Sequence, residues 1–173
     1  KSFKNVQAYI DGAGIVKTDI CFDERILSTK YADGEEIVLP EGVIVLPGFI
    51  DLHIHGAGGS DAMDGTEQAL KTISAKLAEE GTTGFLATTM TQSEENILRA
   101  LQAVRAYDGT EGAQVLGVHL EGPFVSPEYA GAQPRGYIAT PSVAQFEKYD
   151  QACGGKIKKV TIAPEREGAE EMI

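Results

Sequence analysis

The three histidines of this chain fall in two short segments, Asp51-Leu52-His53-Ile54-His55-Gly56 and His119-Leu120-Glu121-Gly122-Pro123-Phe124. In an extended strand, residues i and i+2 project to one side, so His53 and His55 present both imidazoles to one point while Ile54 packs on the other face. Two converging neutral imidazoles suit zinc, iron or a similar divalent ion; the plainer reading is a pair of hydrogen-bonded surface groups. Glu121 closes an apolar run, where a carboxylate is costly to bury unless it binds a cation or takes a proton. Its plainer reading is a cap or loop carboxylate. His119 shares a face with Glu121 and is expected to orient it or line the cavity rather than to hold a metal. Gly122-Pro123-Phe124 forces a sharp exit from the strand. The loop 129–135 that follows either folds over the site, with Gln133 and Arg135 as donors, or stays solvated.

Each segment follows an apolar run that reads as a buried strand, which puts the polar groups where an α/β barrel exposes strand ends to ligand. Before them, residues 1–46 read as a small β module: strands over 3–10, 15–20, 26–28 and 37–39, with turns at Asp11-Gly12 and Asp33-Gly34. Residues 47–173 form the second region, and the alternation of strands and helices that defines it sets in from Val43. A strand over 43–50, interrupted at Pro47-Gly48, runs into His53. A helix starting near Asp64, with Asp64 and Glu67 at capping-box spacing, buries Leu70, Ile73 and Leu77 and stops at Gly81. A strand over 84–90 precedes a helix capped by Thr91 or Ser93, with Ile97, Leu98, Leu101 and Val104 on its apolar stripe. The third strand, 114–120, delivers Glu121. A long loop over 122–139 follows, and Thr140-Pro141 opens a third helix with proline in its first turn. A fourth strand covers 156–163, and 166–173 starts a fourth helix. Four such cycles make half of an eight-stranded barrel with two unpaired edges, so the chain is expected to be a fragment.

The composition excludes several classes. A net charge of -11 argues against nucleic acid or an anionic membrane as partner, because phosphate affinity rests on clustered Lys and Arg. No apolar run approaches the length of a membrane span, and residues 1–10 have no long apolar core of the signal-peptide kind, so a cytoplasmic protein is expected. Cys21 and Cys153 match no paired zinc or redox spacing and read as free thiols.

The segment Leu46-Pro47-Gly48-Phe49-Ile50-Asp51-Leu52-His53-Ile54-His55-Gly56 resembles the entry motif of the amidohydrolase superfamily. Gly81-Thr82-Thr83, the run from Val118 to Pro127, and Gly131-Ala132-Gln133-Pro134 narrow the resemblance to the N-acetylglucosamine-6-phosphate deacetylase family, over nearly the whole chain. The resemblance implies a (β/α)8 barrel begun here and a β-sandwich module that strands from further along the chain complete. It implies hydrolysis of the acetamide of N-acetylglucosamine 6-phosphate to glucosamine 6-phosphate and acetate, with one or two divalent ions, zinc or iron, as cofactor. Glu121 matches a metal ligand, His53 and His55 match the pair that joins it in members holding two ions, and Ala132 and Gln133 match sugar contacts. Some members carry histidine where Gln133 stands. The aspartate that moves the proton to the leaving amine, and two further metal-binding histidines, belong to later barrel strands and none precedes Ile173; the chain alone is therefore expected to be inactive. Homodimers are common in the family. The alternatives are another amidohydrolase, acting on a cyclic amide, and a non-catalytic metal-binding α/β module; the former gives no reason for the Glu121-Gly122-Pro123 exit.

Overall fold

A computed structural model describes residues 1–173, which divide into two compact units, Lys1–Pro47 and Gly48–Ile173. In the first, β1 (Ser2–Ile10) and β2 (Gly14–Phe22) form an antiparallel hairpin, β3 (Ile26–Ser28) extends it beyond β2, and β4 (Ile44–Val45) lies parallel to β1 on the other side. The ladder slips between Phe3 and Val6, where Asn5 takes φ 54° and its N–H donates to Asp19 Oδ1 at 2.8 Å. Asparagine tolerates this left-handed conformation better than most residues because its short polar side chain clashes little.

Two strand expectations change here. Residues 37–39 form no strand: a single bridge joins Ser2 to Glu36, and the Ile37 N–H donates to the Ser2 carbonyl at 2.8 Å before the chain leaves the sheet toward Pro40. Val38 is then 83% exposed, with no neighbouring strand to cover it. The apolar run 43–50 is not one strand either. It divides at Pro47-Gly48 into β4, in the first sheet, and β5 (Phe49–Ile54), in the second. Proline has no N–H to give a ladder, so it suits the break.

The second unit is built on four parallel strands in the order β5, β8 (Thr82–Thr88), β9 (Gln114–Glu121), β10 (Ile157–Thr161). A two-stranded hairpin, β6 (Gly56–Ala57) with β7 (Ser60–Asp61), follows β5, and the crossovers carry α1 (Glu67–Glu79), α2 (Glu94–Ala106) and α3 (Val143–Ala152). Strand order equals chain order, as repeated βαβ units require. Leu70, Ile73 and Leu77 from α1 and Ile97, Leu101 and Val104 from α2 are buried in one core with Phe85, Val118 and Leu120 of the strands. The 3.6-residue spacing of these helix positions selects the buried face.

The helix starts differ from expectation in an instructive way. The capping box expected of Asp64 and Glu67 does not start α1: Asp64 pairs instead with Asp61, in a reciprocal box on a single turn at Ala62–Asp64, and α1 is capped by Thr66, whose Oγ1 accepts from the Ala69 N–H at 3.1 Å. At α2 the expected cap holds, with Ser93 rather than Thr91 taking it, whereas Ser142 caps α3, so Thr140-Pro141 precedes that helix instead of opening it. In each case the residue with a side-chain oxygen nearest the first free N–H groups takes the cap. Residues 166–173 hold only a short turn, Glu170–Met172. Gly168, at φ 80°, packs so close to the Pro141 carbonyl that no side chain fits, and a left-handed residue there ends any helix.

Candidate metal centre

The site lies at the C-terminal ends of the parallel strands, and hydrogen bonds to the main chain fix each part. The Ile54 N–H, between the two histidines, donates to Thr88 Oγ1 at 2.9 Å, and the His53 N–H donates to Asp51 Oδ1 at 2.9 Å. The His55 carbonyl accepts from Ala62 N–H at 2.7 Å. At the end of β9, the Glu121 N–H donates at 3.1 Å to Oγ1 of Thr89, just past β8, and the Glu121 carbonyl accepts from the same hydroxyl at 3.2 Å. Gly122 then turns at φ 69°, where a Cβ would run into Thr91 Oγ1, so glycine meets both the steric and the backbone demand of the exit. Thr88 and Thr89 carry much of this positioning and drew no functional reading from the sequence. The available signal was a hydroxyl at the end of an otherwise apolar strand.

The side chains converge. His55 Nε2 lies 2.9 Å from Glu121 Oε2 and His53 Nε2 lies 3.9 Å from the same oxygen. One donor atom from each of the three residues falls within 4.8 Å of the others. The His53 and His55 rings stand edge to face at 85°, with centroids 5.1 Å apart. Bonds of about 2.1 Å to a tetrahedral ion separate ligand atoms by about 3.4 Å, and the two measured separations bracket that value. His55 Nδ1 is buried without a partner, so the ring meets polar groups only through the Nε2 that faces Glu121. Two imidazoles and a carboxylate, with one side open, fit a catalytic zinc or iron ion better than a closed structural site.

His119 is buried at 1% exposure and does not join the cluster. Its Nδ1 meets His53 Nδ1 at 3.1 Å and its Nε2 meets Thr161 Oγ1 at 2.8 Å. Desolvation, helped by the charges of Lys159, His53 and His55, brings its pKa down to about 4, with the Leu52 carbonyl opposing, so the ring is neutral at pH 7. The expectation that it orients Glu121 shifts accordingly: both ring nitrogens serve other partners.

A cavity of about 450 Å³ opens beside Glu121 and His55, with Ala132, Gln133, Met90 and Tyr129 in its wall. Gln133 Oε1 accepts from the Thr91 N–H at 2.8 Å, which orients its amide. Arg135 is exposed on the following turn and is not part of that wall. The Gly122–Pro123 peptide is cis.

The model of the Amidohydrolase family matches residues 44–169. Over 149 residues the chain is 49% identical to the N-acetylglucosamine-6-phosphate deacetylase of Bacillus subtilis (strain 168), covering 83% of this chain and 38% of that protein. It is 44% identical to the enzyme of the same name from Lysinibacillus sphaericus, covering 82% and 37%. Among solved structures, the N-acetylglucosamine-6-phosphate deacetylase of Thermotoga maritima superposes with a TM-score of 0.80 at 31% identity, over 99% of this chain and 45% of that one. The Mycobacterium smegmatis enzyme, a mutant in complex with N-acetyl-D-glucosamine-6-phosphate, gives 0.78 at 26% identity, over 99% and 45%. The chain thus spans less than half the length of these relatives. Its parallel sheet corresponds to the N-terminal part of their barrels, in agreement with the α/β barrel expectation.

Proposed function

The chain belongs to the amidohydrolase family, and from that footing we propose that the protein hydrolyses the acetamide of N-acetylglucosamine 6-phosphate, releasing acetate and glucosamine 6-phosphate. The observation that carries the reading is the convergence of His53, His55 and Glu121 on one point at the mouth of the cavity lined by Ala132 and Gln133. In this reading the three residues hold a divalent ion, zinc or iron, and His53 with His55 gives the site capacity for two. Such an ion lowers the pKa of a water and polarises an amide carbonyl, the two tasks amide hydrolysis needs. The residues of this chain do the rest of the local work. Glu121 and the imidazoles set the position of the reacting centre, and Ala132 leaves room for a sugar ring against the loop backbone. Gln133, its oxygen engaged by Thr91, keeps its amide N–H groups for an acceptor on the substrate. We assign the proton carrier for the leaving amine to no residue of this chain.

Residues 1–46 and 47–173 are on this reading the first part of a β-sandwich module and of the catalytic barrel. No helix is long and apolar enough to cross a membrane. We place the protein in the cytoplasm, with which two buried unpaired cysteines agree, and take the intact protein to be a homodimer. A second reading, the galactosamine epimer, is favoured by one relative, the N-acetylgalactosamine-6-phosphate deacetylase of Escherichia coli O157:H7, 35% identical over 75% of the chain. Incubating the intact protein with each sugar phosphate and counting new primary amine separates the two. Faster turnover of the glucosamine epimer is expected, and turnover of neither would overturn the deacetylase reading.

A further inference from the structure

Three side chains form a line behind the candidate metal centre: His53 Nδ1 at 3.1 Å from His119 Nδ1, and His119 Nε2 at 2.8 Å from Thr161 Oγ1. We propose that His119, backed by Thr161, is the positioning residue that presets His53 for its metal, by accepting the His53 Nδ1–H. The inference rests on the metal reading of His53, His55 and Glu121.

For His53 to bind an ion through the Nε2 that faces Glu121, that nitrogen must be bare, so the ring proton sits on Nδ1. The nearest partner for that proton is His119 Nδ1, which must then be bare as well. A neutral His119 with a bare Nδ1 carries its proton on Nε2, and Thr161 Oγ1 is there to accept it. The polarity of the whole line follows from the metal bond. Metal-bound imidazoles ordinarily give their second N–H to a carboxylate or carbonyl, which fixes ring and tautomer. Here a buried imidazole takes that part, and it comes from β9 while its anchor comes from β10. The competing arrangement is also defined. If His119 carried its proton on Nδ1, His53 would lose its acceptor.

The test is zinc affinity of the intact protein, by competition with a chromophoric chelator, for wild type and three variants, with nitrogen-15 NMR of the imidazoles in the zinc-loaded wild type. His119→Phe fills the space without an acceptor and is expected to weaken zinc about 10- to 100-fold. His119→Asn returns an oxygen near the Nδ1 position and is expected to stay within about threefold of wild type, while Thr161→Val falls between them. In the spectrum, His53 should be protonated at Nδ1 and His119 at Nε2. Wild-type affinity in His119→Phe, equal losses in the Phe and Asn variants, or the reversed tautomers would each overturn the proposal. The NMR arm decides the matter even if a variant does not fold. A wild type that binds no zinc would sink the metal reading itself, which is a different result from normal zinc binding untouched by His119→Phe.

Discussion

The Glu121 carboxylate reaches His55 Nε2 at 2.9 Å by spanning β8, the strand that separates β9 from β5. The reach is possible because β8 ends in a small hydroxyl residue, Thr88, and a second, Thr89, follows it directly. Thr88 turns its oxygen to the backbone of β5 and Thr89 to that of β9, so the middle strand ties down both neighbours and leaves the space above it to the longer side chains.

Replacing Glu121 by glutamine keeps the shape and removes the charge that a divalent ion needs. The expected result is a loss of metal affinity of about 100-fold or more, since changing outer-sphere groups alone typically costs 10- to 100-fold. Folding should be little affected, because the main-chain bonds to Thr89 remain. Metal content by mass spectrometry and a urea titration check the two halves. Full metal occupancy in the variant would contradict the role given to Glu121.

Thr89→Val removes an acceptor and a donor from the Glu121 peptide at once. With Thr89 at 2% exposure, water does not easily replace them, and a stability loss of about 1–3 kcal/mol is expected in chemical denaturation. The metal affinity should fall as well, because Glu121 loses its anchor. A loss of stability with unchanged affinity would show that the threonine serves only the sheet.

Tyr149 makes the stability depend on pH at the alkaline end. Burial raises its pKa from 10.0 to about 12, against the opposing bond from Gln145. Between these values the unfolded chain has released the phenol proton while the folded chain holds it. The unfolded state then binds fewer protons, and stability falls as pH rises through the window. Below pH 10 the contribution is fully present. The stability of wild type relative to Tyr149→Phe should therefore decline by up to about 1.4 kcal/mol per pH unit above pH 10. A difference that stays constant with pH would contradict the assignment.

Arg166 holds the cavity loop from outside. Its Nη1 donates to the Val125 carbonyl at 3.0 Å and to the Ala139 carbonyl at 2.6 Å, near the two ends of the loop, and the Ala163 N–H donates to the Phe124 carbonyl at 2.9 Å beside them. Arg166→Ala should speed amide hydrogen exchange across residues 125–139 and raise KM more than it lowers kcat, since the loop bears Ala132 and Gln133. Unchanged exchange would remove Arg166 from this role.

These relationships differ in how far the sequence announces them. The alternation of a strand is enough to put His53 and His55 on one face, and the apolar run before Glu121 is enough to put it at a strand end. What alternation cannot say is which side chain the far nitrogen of an imidazole meets, and the pairing of His53 with His119 depends on register across three strands. Ser93 caps α2 as its position before the apolar stripe suggests, but the caps of the first and third helices were misplaced for a related reason. Asp61, Asp64, Thr66, Ser142 and Thr140 all offer oxygens near a helix start, and only the path of the turn before it selects one. The strand expected at 37–39 was apolar enough, yet it ran out of partner beyond the bridge at Glu36.

The most direct test of the account is acetate release from N-acetylglucosamine 6-phosphate by the intact protein, first stripped with a chelator and then titrated with zinc or iron. The account predicts no release from the stripped protein, recovery that saturates with added metal, and no recovery in Glu121→Gln. Release that persists after the metal is removed, or that returns equally in the Glu121→Gln protein, would contradict it.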